Sequence, residues 1–247
     1  MSRTIAIGDI HGGLKALQQV IDLIKPTEED LLIFLGDYID GWSQSAQVID
    51  YLIDLSKRQF CLFIKGNHDV WCEAWLSYER LDKDWINNGN GQLTIDSYKD
   101  HSPEEREQHA VFFNSMRLYY VDEHNRLFIH AGFTSMHGPE KEKSTYSLMN
   151  DRTLWETALA MDKNLDQESK LYPRRLKLFE EIFIGHTPTV KYDITKPMHY
   201  ANVWNIDTGA AFSGPVTAID VDSKEYWQSD IVQSLYPNEK GKTKQKT

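Results

Sequence analysis

With 247 residues, 40% of them hydrophobic and 12% aromatic, the chain is long enough to bury a substantial core and carries no bias toward disorder. Its formal net charge is −10, from 27 Lys+Arg against 37 Asp+Glu, and an acidic body repels phosphate backbones and anionic lipid. Nucleic-acid and membrane partners are therefore not expected, and an anionic substrate has to be attracted locally, by metal ions or by a few placed cations.

The elements alternate from the start. Residues Thr4 to Ile7 form a short β-branched run ending at Gly8. Leu14 to Lys25 places Leu14, Leu17, Ile21 and Ile24 at helical spacing, and Pro26 stops the helix. Leu31 to Leu35 is a second apolar strand, Ser45 to Lys57 a second helix, and Phe60 to Ile64 a third strand. This β-α-β-α-β order with near-continuous apolar strands predicts parallel pairing with helices on the faces. Residues 70–117 are Trp-rich and charged, and read as a helical insertion. Within it Ser102 and Glu105 form a capping box around Pro103. A hairpin follows, with strands 118–122 and 126–130 around Glu123-His124-Asn125. After a mixed segment (133–181) come strands at Glu181 to Ile184, Val203 to Ile206 and Val216 to Val221, with an edge at Tyr226 to Gln228. Residues 1–236 read as one domain, and the polar, lysine-rich stretch 237–247 as a disordered tail.

Two cysteines without a CxxC pattern exclude a disulfide framework: Cys61, inside FCLFI, reads as a small core residue and Cys72 as structural. No apolar run reaches 18 residues and no leader-like stretch opens the sequence, so a cytoplasmic location is expected.

Five short polar clusters follow apolar runs: GDIHG (8–12), GDYID (36–40), GNHD (66–69), HAG (130–132) and GHT (185–187). Ligands of open α/β sheets bind outside the carboxyl ends of strands, so these clusters are expected to converge on one rim. Asp9, His11 and Asp37 make one set of N/O ligands, and Asn67, His130 and His186 another, with Asp37 able to bridge the two. That is a two-metal site of the kind that clamps an in-line displacement. Imidazole, carboxylate and amide ligands without thiolate favour divalent Mn, Fe or Zn, with Mn²⁺ ranked first. His101, His109, His124, His137 and His199 lack this context and read as structural or surface residues.

Taken in order, the five clusters resemble the phosphoprotein phosphatase branch of the calcineurin-like metallophosphoesterases. IFIGHTPTVK (182–191) followed by NIDTGAAFSG (205–214) is similar to compact bacterial and phage serine/threonine protein phosphatases. The resemblance spans about Ile5 to Val221. It implies an α/β (α+β) fold, a four-layer β-sandwich flanked by helices. It also implies that Asp9, His11, Asp37, Asn67, His130 and His186 hold two metal ions, and that His68 is a general acid oriented by Asp40. The implied reaction is attack of metal-activated water on the phosphorus of a phosphorylated protein or small phosphoester.

Two departures stand out. The family usually carries a phosphate-gripping arginine after the second aspartate of GDYID, where this chain has Gly41 and then Trp42. Arg152, in NDRTLWE, lies where compact members carry another arginine and is the expected substitute, working with Asn67 at the substrate. Trp42 reads either as packing over the loop or as a stacking face. GNHD replaces the usual GNHE, and Asp69 is taken as a supporting residue. The main rival reading is a symmetrical dinucleoside polyphosphate hydrolase, with Trp42, Trp71, Trp75 and Trp85 available to stack adenine. A non-catalytic scaffold is the third.

Overall fold

The computed structural model describes residues 2–242. Its first half runs β1 (Thr4–Ile7), α1 (Leu14–Ile24), β2 (Leu31–Phe34), α2 (Ser45–Ser56), β3 (Phe60–Phe63), α3 (Asn67–Tyr78), α4 (Lys83–Asn88), α5 (Gly91–Ser97) and α6 (Pro103–Ser115). The second half runs β4 (Tyr119–Val121), β5 (Arg126–Ile129), α7 (Thr145–Asn150), α8 (Thr153–Leu159), β6 (Glu181–Ile184), β7 (Met198–Tyr200), β8 (Val203–Asn205), β9 (Thr217–Asp220), β10 (Tyr226–Gln228) and α9 (Val232–Leu235).

The strands form two five-stranded mixed sheets, β10-β9-β1-β2-β3 and β4-β5-β6-β8-β7. β1, β2 and β3 pair in parallel, as do β5, β6 and β8. The period-2 geometry of a strand explains why the sequence shows continuous apolar runs rather than alternation. In β1, Ile5 and Ile7 face the α1–α2 layer while Ala6 faces the other sheet. In β2, Leu32 and Phe34 join the first group, and Ile33 with the following Leu35 joins the second. In β5 and β6, Leu127, Ile129, Ile182 and Ile184 pack toward α7 and α8, while Phe128 and Phe183 point between the sheets. Those two rings stack at 5.1 Å and 10°. Helices, sheet, sheet and helices make four layers, and every central strand is buried on both faces.

Local signals place the ends of elements. Lys25 adopts φ 47° and donates its N–H to Ile21 O, closing α1 before Pro26. Ser102 Oγ accepts from Glu105 N and the Glu105 carboxylate accepts from Ser102 N, as the capping box requires.

Some expectations differ from the structure. The helical insertion starts earlier than residue 70, because Asn67 and His68 already form the first turn of α3. β7 went unread: it is three residues long and owes its existence to antiparallel pairing with β8. Cys61 is half-buried in β3, at the edge of its sheet, while Cys72 is buried. Residues 237–242 of the segment expected to be disordered are seated on the body of the protein. The Glu239 carboxylate accepts from Ser43 N (2.9 Å) and Ser43 Oγ (2.7 Å), and Lys242 N donates to Ala211 O (2.8 Å). Residues 243–247 lie outside the described residues.

Candidate metal centre

All five polar clusters fall where parallel strands end, after β1, β2, β3, β5 and β6. The two sheets bring them together. His186, from the second sheet, donates its backbone N–H to Asp9 of the first at 3.2 Å. A Cβ at Gly185 would lie 2.1 Å from Asp9 Oδ1, so the absence of a side chain there permits this approach. Asn67 Oδ1 lies 3.0 Å from His186 Nδ1 and 3.2 Å from His130 Nε2. His11, Asp37, Asp40 and His186 all have positive φ, between 52° and 68°. Such strain concentrates where a site over-determines its backbone.

Asp37 is the common member of two buried groups, one with His11 and His68 and the other with His130 and His186. Within each group the candidate ligand atoms lie within 4.8 Å of one another. Two imidazoles are fixed from behind. His130 Nδ1 donates to Leu35 O (2.7 Å), and His11 Nδ1 lies 3.1 Å from both Ile39 O and Asp40 O. Each therefore turns Nε2, a lone pair in the neutral ring, into the site. His130 Nε2 faces Asp37 Oδ1 at 3.4 Å, and His11 Nε2 faces Asp37 Oδ2 at 3.6 Å and Asp9 Oδ2 at 3.8 Å.

Buried acceptors turned on one another require a cation among them. Without metal that cation is a proton. Burial works against a charged His130, but the adjoining Asp37 carboxylate, with Asp9 and Asp69 beyond it, outweighs burial and holds the imidazole up at about 10. Burial pushes His11 and His186 the other way, well below the usual histidine range. Burial and the Asp207 charge raise Asp9, whereas in Asp37 the imidazole charges of His130 and His68 outweigh burial and lower it. The donor set fits two divalent ions. The structure brings Asp9, His11, Asp37, Asn67, His130 and His186 together on this rim.

His68 stands beside this cluster. Its Nδ1 lies 2.5 Å from Asp40 Oδ2, and its backbone N–H donates to Asp37 Oδ1 at 3.0 Å. Asp40 is fully buried and further held by Trp85 Nε1 (2.8 Å) and Thr94 Oγ1 (2.5 Å). The insertion thus reaches into the site through α4 and α5. Asp69 accepts from Asp37 N, Tyr38 N and Gly66 N at 2.7–3.0 Å, which locks the β2 and β3 loops to each other.

Other residues land differently. Arg152 is exposed at the start of α8, and its charge adds to the burial that lowers His186 and Lys191. Trp42 offers no stacking face: it is fully buried, donates Nε1 to Ala210 O at 2.8 Å and stacks on Tyr236 at 5.4 Å. Gly41 has φ 108°, and a Cβ there would sit 3.1 Å from His11 O, so this backbone is ill-suited to an arginine. Sequence reasoning missed Asp207, buried in the loop after β8 and raised to about 6 by burial and by the Asp37 charge, against the pull of the Gly209 N–H. Its signal was the acidic residue of NIDTG. It also missed Lys242, whose Nζ lies 2.7 Å from His68 Nε2. Asp50 joins His101 Nε2 (2.9 Å) and His109 Nε2 (3.1 Å) in a separate cluster, in which Tyr98 Oη also holds His109 Nδ1 at 2.9 Å.

Comparison with known proteins agrees with this geometry. The calcineurin-like phosphoesterase family matches residues 2–210. A symmetrical bis(5'-nucleosyl)-tetraphosphatase of Xylella fastidiosa (strain M23) is 23% identical, over 89% of this chain and 88% of its own. An asymmetrical bis(5'-nucleosyl)-tetraphosphatase of Geobacillus thermodenitrificans is 28% identical, over 86% and 88%. Serine/threonine-protein phosphatase 1 of Salmonella typhimurium is 25% identical, over 85% and 88%. Among solved structures, a putative diadenosine tetraphosphatase superposes with a TM-score of 0.62 at 14% identity, covering 92% of each chain. A serine/threonine phosphatase from Saccharomyces cerevisiae gives 0.61 at 13% identity, covering 93% of this chain and 80% of its own. With a family match over most of its length and the family's fold, the chain is a member of the calcineurin-like phosphoesterases.

Proposed function

We propose that the protein is a metal-dependent phosphomonoesterase that acts on phosphoserine or phosphothreonine in proteins. The observation that carries this reading is the His68–Asp40 dyad set against the Asp37-centred ligand cluster. Two divalent ions, Mn²⁺ in first place, would supply a water of lowered pKa and neutralise phosphoryl charge. The chain's own residues do the rest. Asp40 accepts the Nδ1 proton of His68 and so fixes its tautomer, leaving Nε2 to carry a proton to the departing alkoxide. Serine and threonine alkoxides are poor leaving groups, and such a proton is worth roughly 10²–10⁴-fold. Asn67 and Arg152 are assigned to the phosphoryl oxygens.

A second reading, hydrolysis of a dinucleoside polyphosphate, draws support from the names of the Xylella and Geobacillus relatives. The indoles that would stack adenine are largely committed elsewhere. Trp42 and Trp85 are fully buried, and Trp75 packs on Trp85 and Tyr98. Trp71, half-buried and edge-on to His68 at 5.1 Å, is the nearest to the acid.

Manganese-dependent phosphate release from a phosphothreonine peptide, measured beside hydrolysis of diadenosine tetraphosphate, separates the readings. Turnover of the peptide is expected. Turnover of the dinucleotide alone would overturn the protein-phosphatase reading in favour of the second.

A further inference from the structure

The segment that follows α9 crosses the face of the candidate site. Tyr236 anchors its start: the ring stacks on Trp42, and the hydroxyl donates to Gln44 Oε1 at 2.6 Å and accepts from Lys15 N at 3.1 Å. Glu239 then takes both donors of Ser43, while Gln233 Nε2 holds Glu239 O at 2.7 Å. Gly241 lies flat on Trp42; a Cβ there would be 2.8 Å from the indole and 2.7 Å from Ala211 O. Lys242 follows, fixed by its N–H on Ala211 O, and its side chain turns inward to place Nζ 2.7 Å from His68 Nε2.

Burial lowers the pKa of that amine, and the carboxylates of Asp40, Asp37, Asp9 and Asp207 oppose it by favouring the ammonium. Its hydrogen-bond partner, His68 Nε2, is the atom assigned to protonate the leaving group. A cation one hydrogen bond from that atom is within reach of the oxygens of a phosphoryl group whose leaving oxygen faces His68. The position next to Asp40 offers no cation, since Gly41 has no side chain and a backbone that disfavours one. Trp42, the next residue, instead builds the floor on which the segment lies.

We propose that residues 237–242 form a strap that completes the active site, and that Lys242 supplies the substrate-binding cation that position 41 lacks. The inference rests on the phosphoesterase reading of the site. In the free protein the ammonium donates to His68 Nε2. A bound phosphoryl oxygen takes over that donor, and the four-carbon stem of lysine gives the reach for the exchange. His68 Nε2 is then free to hold the proton for the leaving group. A charge-assisted contact of this kind is worth about tenfold or more in affinity.

The test uses the full chain loaded with Mn²⁺, with inorganic phosphate as the binding probe and p-nitrophenyl phosphate as substrate. Lys242→Ala should weaken phosphate binding by calorimetry about tenfold and raise KM by a similar factor, with a smaller change in kcat. Manganese content and melting temperature should match the unmodified protein. Lys242→Arg should recover most of the loss. Glu239→Ala, which releases the strap from Ser43, should shift phosphate affinity in the same direction. Unchanged phosphate affinity in Lys242→Ala would overturn the proposal. Tighter binding or faster turnover would also overturn it, by showing that the strap is a plug. Phosphate binding that depends on Lys242 in a protein that hydrolyses no phosphoester would count against the proposed function while upholding the cation's role.

Discussion

Asp40 Oδ2 and His68 Nδ1 lie 2.5 Å apart, with the carboxylate fully buried and bound on its remaining faces by Trp85 and Thr94. So tightly held a carboxylate leaves the imidazole one tautomer and one orientation. His68→Asn should therefore lower kcat roughly 10²–10⁴-fold on an alkyl phosphoester such as a phosphothreonine peptide. The loss should be much smaller on p-nitrophenyl phosphate, whose leaving group needs no proton. Equal losses on both substrates would rule out the acid role. Asp40→Asn should show the same leaving-group dependence with metal content unchanged.

Asn67 Oδ1 sits between His130 Nε2 and His186 Nδ1. Removing it by Asn67→Ala should lower bound metal after dialysis, toward one ion per chain, as measured by elemental analysis. Full metal retention would show that the amide is no ligand.

Gly41 tests whether the missing arginine is a matter of chemistry or of backbone. At φ 108° any L side chain is strained, by about 1–3 kcal/mol, and its Cβ would crowd His11. Gly41→Arg should lower the melting temperature and fail to increase kcat/KM. A stable variant with improved kcat/KM would refute the conformational explanation.

Arg3 and Asp30 tie the start of β1 to the turn before β2, through contacts of 2.7 Å between the side chains and 2.7 Å from Arg3 N. Burial tends to raise the Asp30 carboxyl, but the Arg3 guanidinium and the Thr27 and Arg3 N–H groups outweigh it and hold the pKa at about 2. A depressed folded-state value contributes stability above the unfolded-state pKa and loses it as pH falls through the folded one. Arg3→Ala should thus cost about 1 kcal/mol at pH 7, a discounted figure for a pair with a partly solvated guanidinium. The difference from the unmodified protein should shrink between pH 4 and pH 2 in denaturant titrations, a window set by the unfolded carboxylate and the value of about 2. A cost that stays constant over that window would assign the effect to packing of the arginine stem.

The central strands and the polar clusters on the rim were legible in the sequence because both are local signals. A strand buried on two faces must be apolar at its buried positions, as LLIF is and as the last three residues of EIFI are, and a rim cluster is written in the few residues after each strand. The residues that the sequence did not reveal answer to contacts across great chain separations. Trp85 reaches Asp40 over 45 residues, Thr94 over 54, and Lys242 reaches His68 over 174. No spacing rule links such positions. Trp42 is the clearest case: from its neighbours it read equally as core or as a binding face, and burial by Tyr236 and Gly241 decided the matter. The polar composition of 237–242 suggested a solvated tail, because composition counts the apolar area a segment can bury on its own. That segment instead lies on a surface made by other residues, Trp42, Ser43 and Ala211, and satisfies its polar groups there. The sequence by itself determined the layered α/β scaffold and the polar clusters that end its parallel strands. The tertiary structure alone decided what surrounds them, since packing between distant elements sets which indole, hydroxyl or ammonium meets the site.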